Sequence, residues 1–189
     1  KWTPGEQLVI KQNSNYWGGA PGFTSITFKP VVENGTRVAM LQSGDADFIF
    51  PLPSEQVASL QENKDLTVKV TPSIVTRYIT MNTKKKPFDD VRVRQALNYA
   101  IDKEAYAQVV YNGYAKPAVS LIGPNVQFHA AQDPYEYDIE KAKELLKEAG
   151  YPNGFEVSLW SSNTTTLIKA TQFIKQQLSQ IGVTVNVEN

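Results

Sequence analysis

The sequence predicts an α/β fold of mixed sheets flanked by helices, and three patterns predict it. Strand-like and helix-like segments alternate from residue 7 to residue 81, three helices each opened by an aspartate begin at residue 90, and a strand, a long helix and a second strand close the chain. Layered α/β domains need such an order, because each sheet face buries its apolar side chains against helices.

Gln7 to Gln12 and Ser25 to Pro30 alternate apolar with polar residues, the period of half-buried strands, with Ile26 and Phe28 on the apolar side of the second. Tyr16-Trp17-Gly18-Gly19 and Pro21-Gly22 make the turn between them. Thr36 to Ser43 carries Val38, Leu41 and Gln42 at helical spacing and stops at Gly44, a residue that accepts the left-handed conformation ending a helix. A short strand is expected over Asp47 to Phe50. Pro51 and Pro53 then break the chain before Ser54, the expected cap of a helix bearing Val57 and Leu60. Leu66 to Val70 and Arg77 to Met81 are rich in β-formers and read as two more strands, with Pro72 between them.

From residue 90 the texture is helical, and each helix begins at a carboxylate able to accept from otherwise unpaired amides. Asp90 precedes Ala96, Leu97, Ala100 and Ile101; Asp102 precedes Ala105, Tyr106, Val109 and Val110; Asp138 opens a stripe of Ile139, Ala142, Leu145, Leu146 and Ala149 that ends at Gly150. These helices are expected to cover a sheet from one side. After the turn Tyr151-Pro152-Asn153-Gly154 come a strand over Phe155 to Trp160, a long helix marked by Leu167, Thr171, Ile174, Leu178 and Ile181 and ending at Gly182, and a strand over Val183 to Val187. A crossover of this size implies a βαβ unit with parallel pairing. Ala115 to Tyr137 holds no sustained period, and loops of that length inside domains are usually functional or mobile. The Lys84-Lys85-Lys86 run reads as a solvated turn.

Composition excludes several classes. The 189 residues are 41% hydrophobic, enough for a buried core, and 19 basic residues balance 19 acidic ones, so no global field recruits nucleic acid and no nucleic-acid partner is expected. Cysteine is absent, which removes disulfide and thiolate chemistry. No apolar run reaches membrane-span length, and Lys1 to Gly5 lacks the features of a signal peptide, so the expectation is that a mature chain starts here or that the sequence is a cut piece.

A search for catalytic chemistry finds no complete set of parts. His129 is the single histidine and has neither a cysteine partner nor a carboxylate pair at helical spacing, so no metal, cofactor or triad is expected. Gly18, Gly19 and Gly22 lack the lysine-serine pair of a phosphate loop, and Asp45 with Asp47 reads as turn chemistry. The tryptophans and tyrosines are assigned mainly to packing. Arg77 differs, because an arginine in a β-rich segment after a proline break either reaches the surface or finds an anion, and the sequence leaves both open.

Several stretches then carry a resemblance. Asn15-Tyr16-Trp17-Gly18-Gly19, Thr36-Arg37-Val38-Ala39-Met40-Leu41-Gln42-Ser43-Gly44-Asp45-Ala46-Asp47, Pro87-Phe88-Asp89-Asp90-Val91-Arg92-Val93-Arg94-Gln95-Ala96-Leu97-Asn98-Tyr99-Ala100-Ile101-Asp102 and the segment from Tyr137 to Tyr151 resemble the family 5 periplasmic solute-binding proteins, which feed peptide and nickel ABC importers. Pro72-Ser73-Ile74, Arg77-Tyr78-Ile79 and Leu159-Trp160-Ser161-Ser162 look most like the glutathione-binding members. The resemblance implies a partial periplasmic binding protein-like fold drawn from two lobes, residues 1–75 from the central part of the first and 76–189 from the N-terminal part of the second, with the boundary as late as residue 90. It implies that the chain is an internal piece of a protein that closes two lobes on its ligand.

The pocket residues that the resemblance carries over are Phe50, Pro51, Ser73, Arg77 and Tyr78. Arg77 would pair with a ligand carboxylate, and Tyr78 would supply an aromatic wall and a hydroxyl. The implied ligand is glutathione or another short peptide, the implied partners are the importer's membrane permease subunits, and a monomer is expected. Implied too is a bacterial location, periplasmic or extracellular and lipid-anchored. Alternatives are a dipeptide, oligopeptide or nickel-binding relative, a protein-recognition module on the same fold, and, from another class, a hydrolase for which His129 would have to be essential.

Overall fold

The computed structural model describes residues 1–188. The chain divides into two compact units, Lys1–Val57 and Ala58–Asn189.

The first unit holds a three-stranded antiparallel sheet of β1 (Trp2–Thr3), β2 (Gln7–Lys11) and β3 (Ser25–Phe28), in the order β1-β2-β3. Trp2 pairs with Leu8, Leu8 with Phe28 and Ile10 with Ile26, so the strand period gathers five large apolar side chains on one face. That face is not half-buried as the alternation predicts, since its five residues are 41–72% exposed. Helix α1 (Asn34–Ser43) follows and ends where expected, with Gly44 at φ 82° and the Ala46 amide returning to the Met40 carbonyl.

Three expected strands are not formed. Residues 47–50, 66–70 and 77–81 lie outside every strand, and among the described residues no segment pairs with them. A strand exists only where a neighbour completes its hydrogen-bond ladder, so β propensity alone leaves these stretches extended and unladdered. Ser54 does not cap a helix either. It is the first residue of a 3-10 turn, Ser54–Gln56, behind Pro53, and the turn runs into α2 (Val57–Gln61).

In the second unit the aspartate starts are all realised. The carboxylates of Asp90, Asp102 and Asp138 accept from the amides of Arg92, Ala105 and Lys141 at the openings of α3 (Val91–Tyr99), α4 (Lys103–Tyr111) and α5 (Ile139–Glu148). Strands β4 (Glu156–Trp160) and β5 (Thr184–Glu188) pair in parallel around α6 (Thr165–Ser179), the βαβ unit that the spacing predicts. One face of this pair is covered by α3, α5 and α6. Val93, Ala96 and Ala100 meet Ala142, Leu145 and Leu146 with Ile174, Leu178, Val183 and Val185 in one core. Fully buried alanines let helices approach closely, while each buried Leu or Val side chain contributes about 1.5–3 kcal/mol.

The α3 start is locked by charge as well as by its cap. Asp90 accepts from the Arg92 amide and from its guanidinium at 2.6 Å, while the same guanidinium donates to the Glu148 carbonyl at the C-terminal end of α5. Hydrogen bonds from the Arg92 side chain and backbone lower the Asp90 carboxyl to about 2. The folded value lies below the usual 3.8, so the carboxylate stabilises the fold above pH 4 and that contribution is lost as pH falls toward 2. Asp90→Asn keeps a capping side chain but removes the charge. Its stability is expected to fall less steeply than wild type between pH 4 and pH 2 in acid titrations followed by circular dichroism, and parallel curves would exclude this role.

Candidate functional site

The expected site residues occur as two local groups, one in each unit. Phe50 and Pro51 belong to the first, joined by a cis peptide bond, and Phe50 is 80% exposed. No backbone-to-backbone hydrogen bond among the described residues involves residues 47–52. The turn is instead reached by a side chain: Arg37 on α1 donates from Nη2 to the Pro51 carbonyl at 3.2 Å.

Ser73, Arg77 and Tyr78 belong to the second unit and lie on an exposed, unladdered strip. The Ser73 hydroxyl accepts from the Val75 amide, a local turn that Ser73 favours over a ladder. The long loop meets the same strip, since Asn125 donates to the Ser73 carbonyl at 3.5 Å and Gly123 backs onto Ile74 and Thr76. Tyr78 is 67% exposed, with its ring open to solvent. Arg77 is exposed yet within electrostatic reach of Tyr106 on α4.

Tyr106 sits in an aromatic group, edge-on to Phe173 of α6 at 5.6 Å between ring centres and to Tyr111 at 6.0 Å. Burial pushes its hydroxyl up to about 12, the neighbouring Tyr111 adds to that, and the Arg77 charge pulls the other way. The phenol therefore stays neutral well above physiological pH. Tyr106 reads in the sequence only as one apolar position of a helix, and nothing local marks its relation to Arg77.

The loop over residues 115–137 is fastened at its far end. Lys103 donates to the carbonyls of Asn98 and Tyr135, both at 3.0 Å, and Tyr99 stacks edge-on with Tyr135. Burial lowers the Lys103 ammonium, opposed by Glu136 and Asp102. His129 turns its ring back onto the Ile122 carbonyl within this loop. A concavity lined by Val109, Ile168, Gln172 and Phe173 between α4 and α6 does not include Ser73, Arg77 or Tyr78. Among the described residues no acidic or histidine group could hold a metal, and no helix is long and apolar enough to cross a membrane.

Known proteins place this geometry in context. The family model described as bacterial extracellular solute-binding proteins, family 5 Middle, matches residues 1–189. The chain is 48% identical over 188 residues, 98% of its length, to the glutathione-binding protein GsiB of Salmonella paratyphi A, and spans 37% of that relative. Among solved structures it is similar to the ABC transporter-associated periplasmic binding protein DppA of Helicobacter pylori in complex with peptide STSA, at 31% identity and TM-score 0.89 over 100% of this chain and 37% of that one. It is likewise similar to the dipeptide binding protein of Pseudoalteromonas sp. SM9913 in complex with Met-Leu, at 29% identity and TM-score 0.86 over 99% of this chain and 38% of that one. The fold is thus that of part of a periplasmic binding protein, as the sequence implies.

Proposed function

This chain belongs to the bacterial extracellular solute-binding proteins, family 5, and from that premise we propose that it forms part of the solute-capture component of an ABC importer, with glutathione or a similar short peptide as ligand. The observation that carries the reading is the 48% identity to GsiB over nearly the whole chain. The solved relatives bound to STSA and to Met-Leu favour a short peptide as the second choice, and a terminal carboxylate is common to all three ligands. No bond chemistry is part of this role.

In this reading residues 1–75 come from a first lobe and 76–189 from a second, and closure of two lobes holds the ligand. Phe50 and Pro51 contribute from the first lobe; Ser73 lies where the chain crosses to the second, and Arg77 and Tyr78 contribute from the second. Phe50 and Tyr78 are both exposed and so accessible to a ligand. Capture takes place in the periplasm or at the outer face of the cytoplasmic membrane, the protein acts as a monomer, and permease subunits receive the ligand.

The test is calorimetry with reduced glutathione on residues 1–189 and on the longest natural polypeptide that carries them. Saturable one-to-one binding is expected of the long polypeptide, and weak or no binding of residues 1–189, whose side chains line only part of each lobe's face. Tight binding by residues 1–189 alone would overturn the two-lobe reading.

A further inference from the structure

Arg37 makes four side-chain hydrogen bonds within the first unit. It sits in the first turn of α1, half-buried, with its stem directed back toward the helix start. A guanidinium has five N–H donors in one plane. Here Nη1 donates to the carbonyls of Val31 at 2.7 Å and Val32 at 2.9 Å, and Nη2 donates to Asn34 Oδ1 at 2.5 Å and to the Pro51 carbonyl at 3.2 Å. The fifth donor, Nε, is buried with no acceptor among the described residues. An unpaired buried donor is unfavourable, so the arrangement persists through its four other bonds.

Two of those acceptors lie on the segment entering α1, the third on its first residue, and the fourth lies 14 residues on, in a stretch with no backbone ladder. The helix is packed at this point, because Val38, next to Arg37, is buried. The guanidinium therefore ties an otherwise unladdered turn to a packed helix. A lysine could not replace it, since one ammonium cannot reach acceptors on both sides of a planar fork.

We propose that Arg37 is a positioning residue for ligand capture, a planar clip that sets the Phe50–Pro51 turn in the geometry that the ligand meets. This rests on the reading of Phe50 and Pro51 as pocket residues given above. Binding through a loosened turn has to order it first, which lowers affinity without removing any ligand contact.

The experiment uses the longest natural polypeptide carrying this sequence, with glutathione as probe, and compares wild type, Arg37→Lys, Asn34→Ala, Phe50→Ala and Arg37→Lys combined with Phe50→Ala. Without ligand, the rate of chymotryptic cleavage after Phe48, which is exposed beside the turn, is expected to rise about tenfold or more in Arg37→Lys and less in Asn34→Ala, while α1 stays uncut. With ligand, Arg37→Lys is expected to weaken glutathione binding about tenfold, and the double variant to bind no worse than Phe50→Ala alone, because both act through one turn. Unchanged cleavage overturns the clip, and faster cleavage with unchanged affinity makes Arg37 structural only and overturns the positioning role. If Phe50→Ala binds as wild type does, the pocket assignment fails and takes this inference with it, an outcome recognised because the cleavage half is read without ligand. Asn34→Ala guards against a folding failure of the arginine variant.

Discussion

Gly154→Ala is expected to be the most destabilising single-methyl change in the second unit. Gly154 has φ +76°, and a Cβ there would stand 2.0 Å from the Gly182 carbonyl oxygen and 2.2 Å from its carbon. Gly182 mirrors it, with φ +79° and a Cβ that would lie 2.7 Å from the Asn153 oxygen. The turns feeding β4 and β5 meet back to back at these glycines, just before the register Glu156 with Thr184 begins, and the Thr184 amide donates to the Phe155 carbonyl at 2.9 Å. A methyl group must push the two strand starts apart, and backbone cannot yield as a flexible side chain does. The left-handed conformation costs a non-glycine residue about 1–2 kcal/mol, and overpacking a tight contact adds about 1–3 kcal/mol. A loss of about 2–5 kcal/mol is a large part of a typical domain's stability.

Gly150 separates the two contributions. Its φ is +89° but nothing lies within 4 Å of its missing Cβ, so Gly150→Ala carries the conformational penalty alone. Urea unfolding followed by far-UV circular dichroism should rank Gly154→Ala well below Gly150→Ala, with Gly182→Ala beside the former. Equal midpoints for Gly150→Ala and Gly154→Ala would show that the close approach relaxes freely.

These glycines mark the limit of what the sequence discloses. Asp90, Asp102 and Asp138 were readable as helix starts because a cap is settled within three residues, and the glycine at the end of α1 for the same reason. The β4–α6–β5 unit was readable because its three periods and its length admit one handed connection. Gly154, by contrast, read as an ordinary turn residue, since its partner is a second turn 28 positions away. The strands expected at residues 47–50, 66–70 and 77–81 failed because a ladder is a property of two segments and only one is visible in a local window. Of the candidate site, Arg77 stood out by its own chemistry, while Phe50, Pro51, Ser73 and Tyr78 came from resemblance to a family. What holds them, Arg37 behind Pro51 and Asn125 behind Ser73, is non-local and carries no sequence signature.

Removal of the Arg77 guanidinium is expected to give the largest loss of ligand affinity. The group lies exposed on a strip with no ladder to support, so its charge has little structural work to explain its presence there. Tyr106, within electrostatic reach of the guanidinium, packs edge-on against Phe173, and burial pushes its hydroxyl up to about 12. In the proposed role the guanidinium pairs with a carboxylate of the ligand, and a planar fork grips a carboxylate with two parallel bonds. Hydrogen bonds to charged groups contribute about 1.5–3 kcal/mol, so Arg77→Met should weaken glutathione binding by the long natural polypeptide about 10–150-fold. Arg77→Lys retains the charge but not the fork and should fall between. Because the residue is exposed, the thermal midpoint of Arg77→Met should stay near that of wild type. Blocking the glutathione carboxylates as esters distinguishes ion pairing from mere proximity: the esters should bind wild type and Arg77→Met alike. If Arg77→Met still prefers the free acid as strongly as wild type does, the carboxylate is held by another cation and Arg77 is a surface residue.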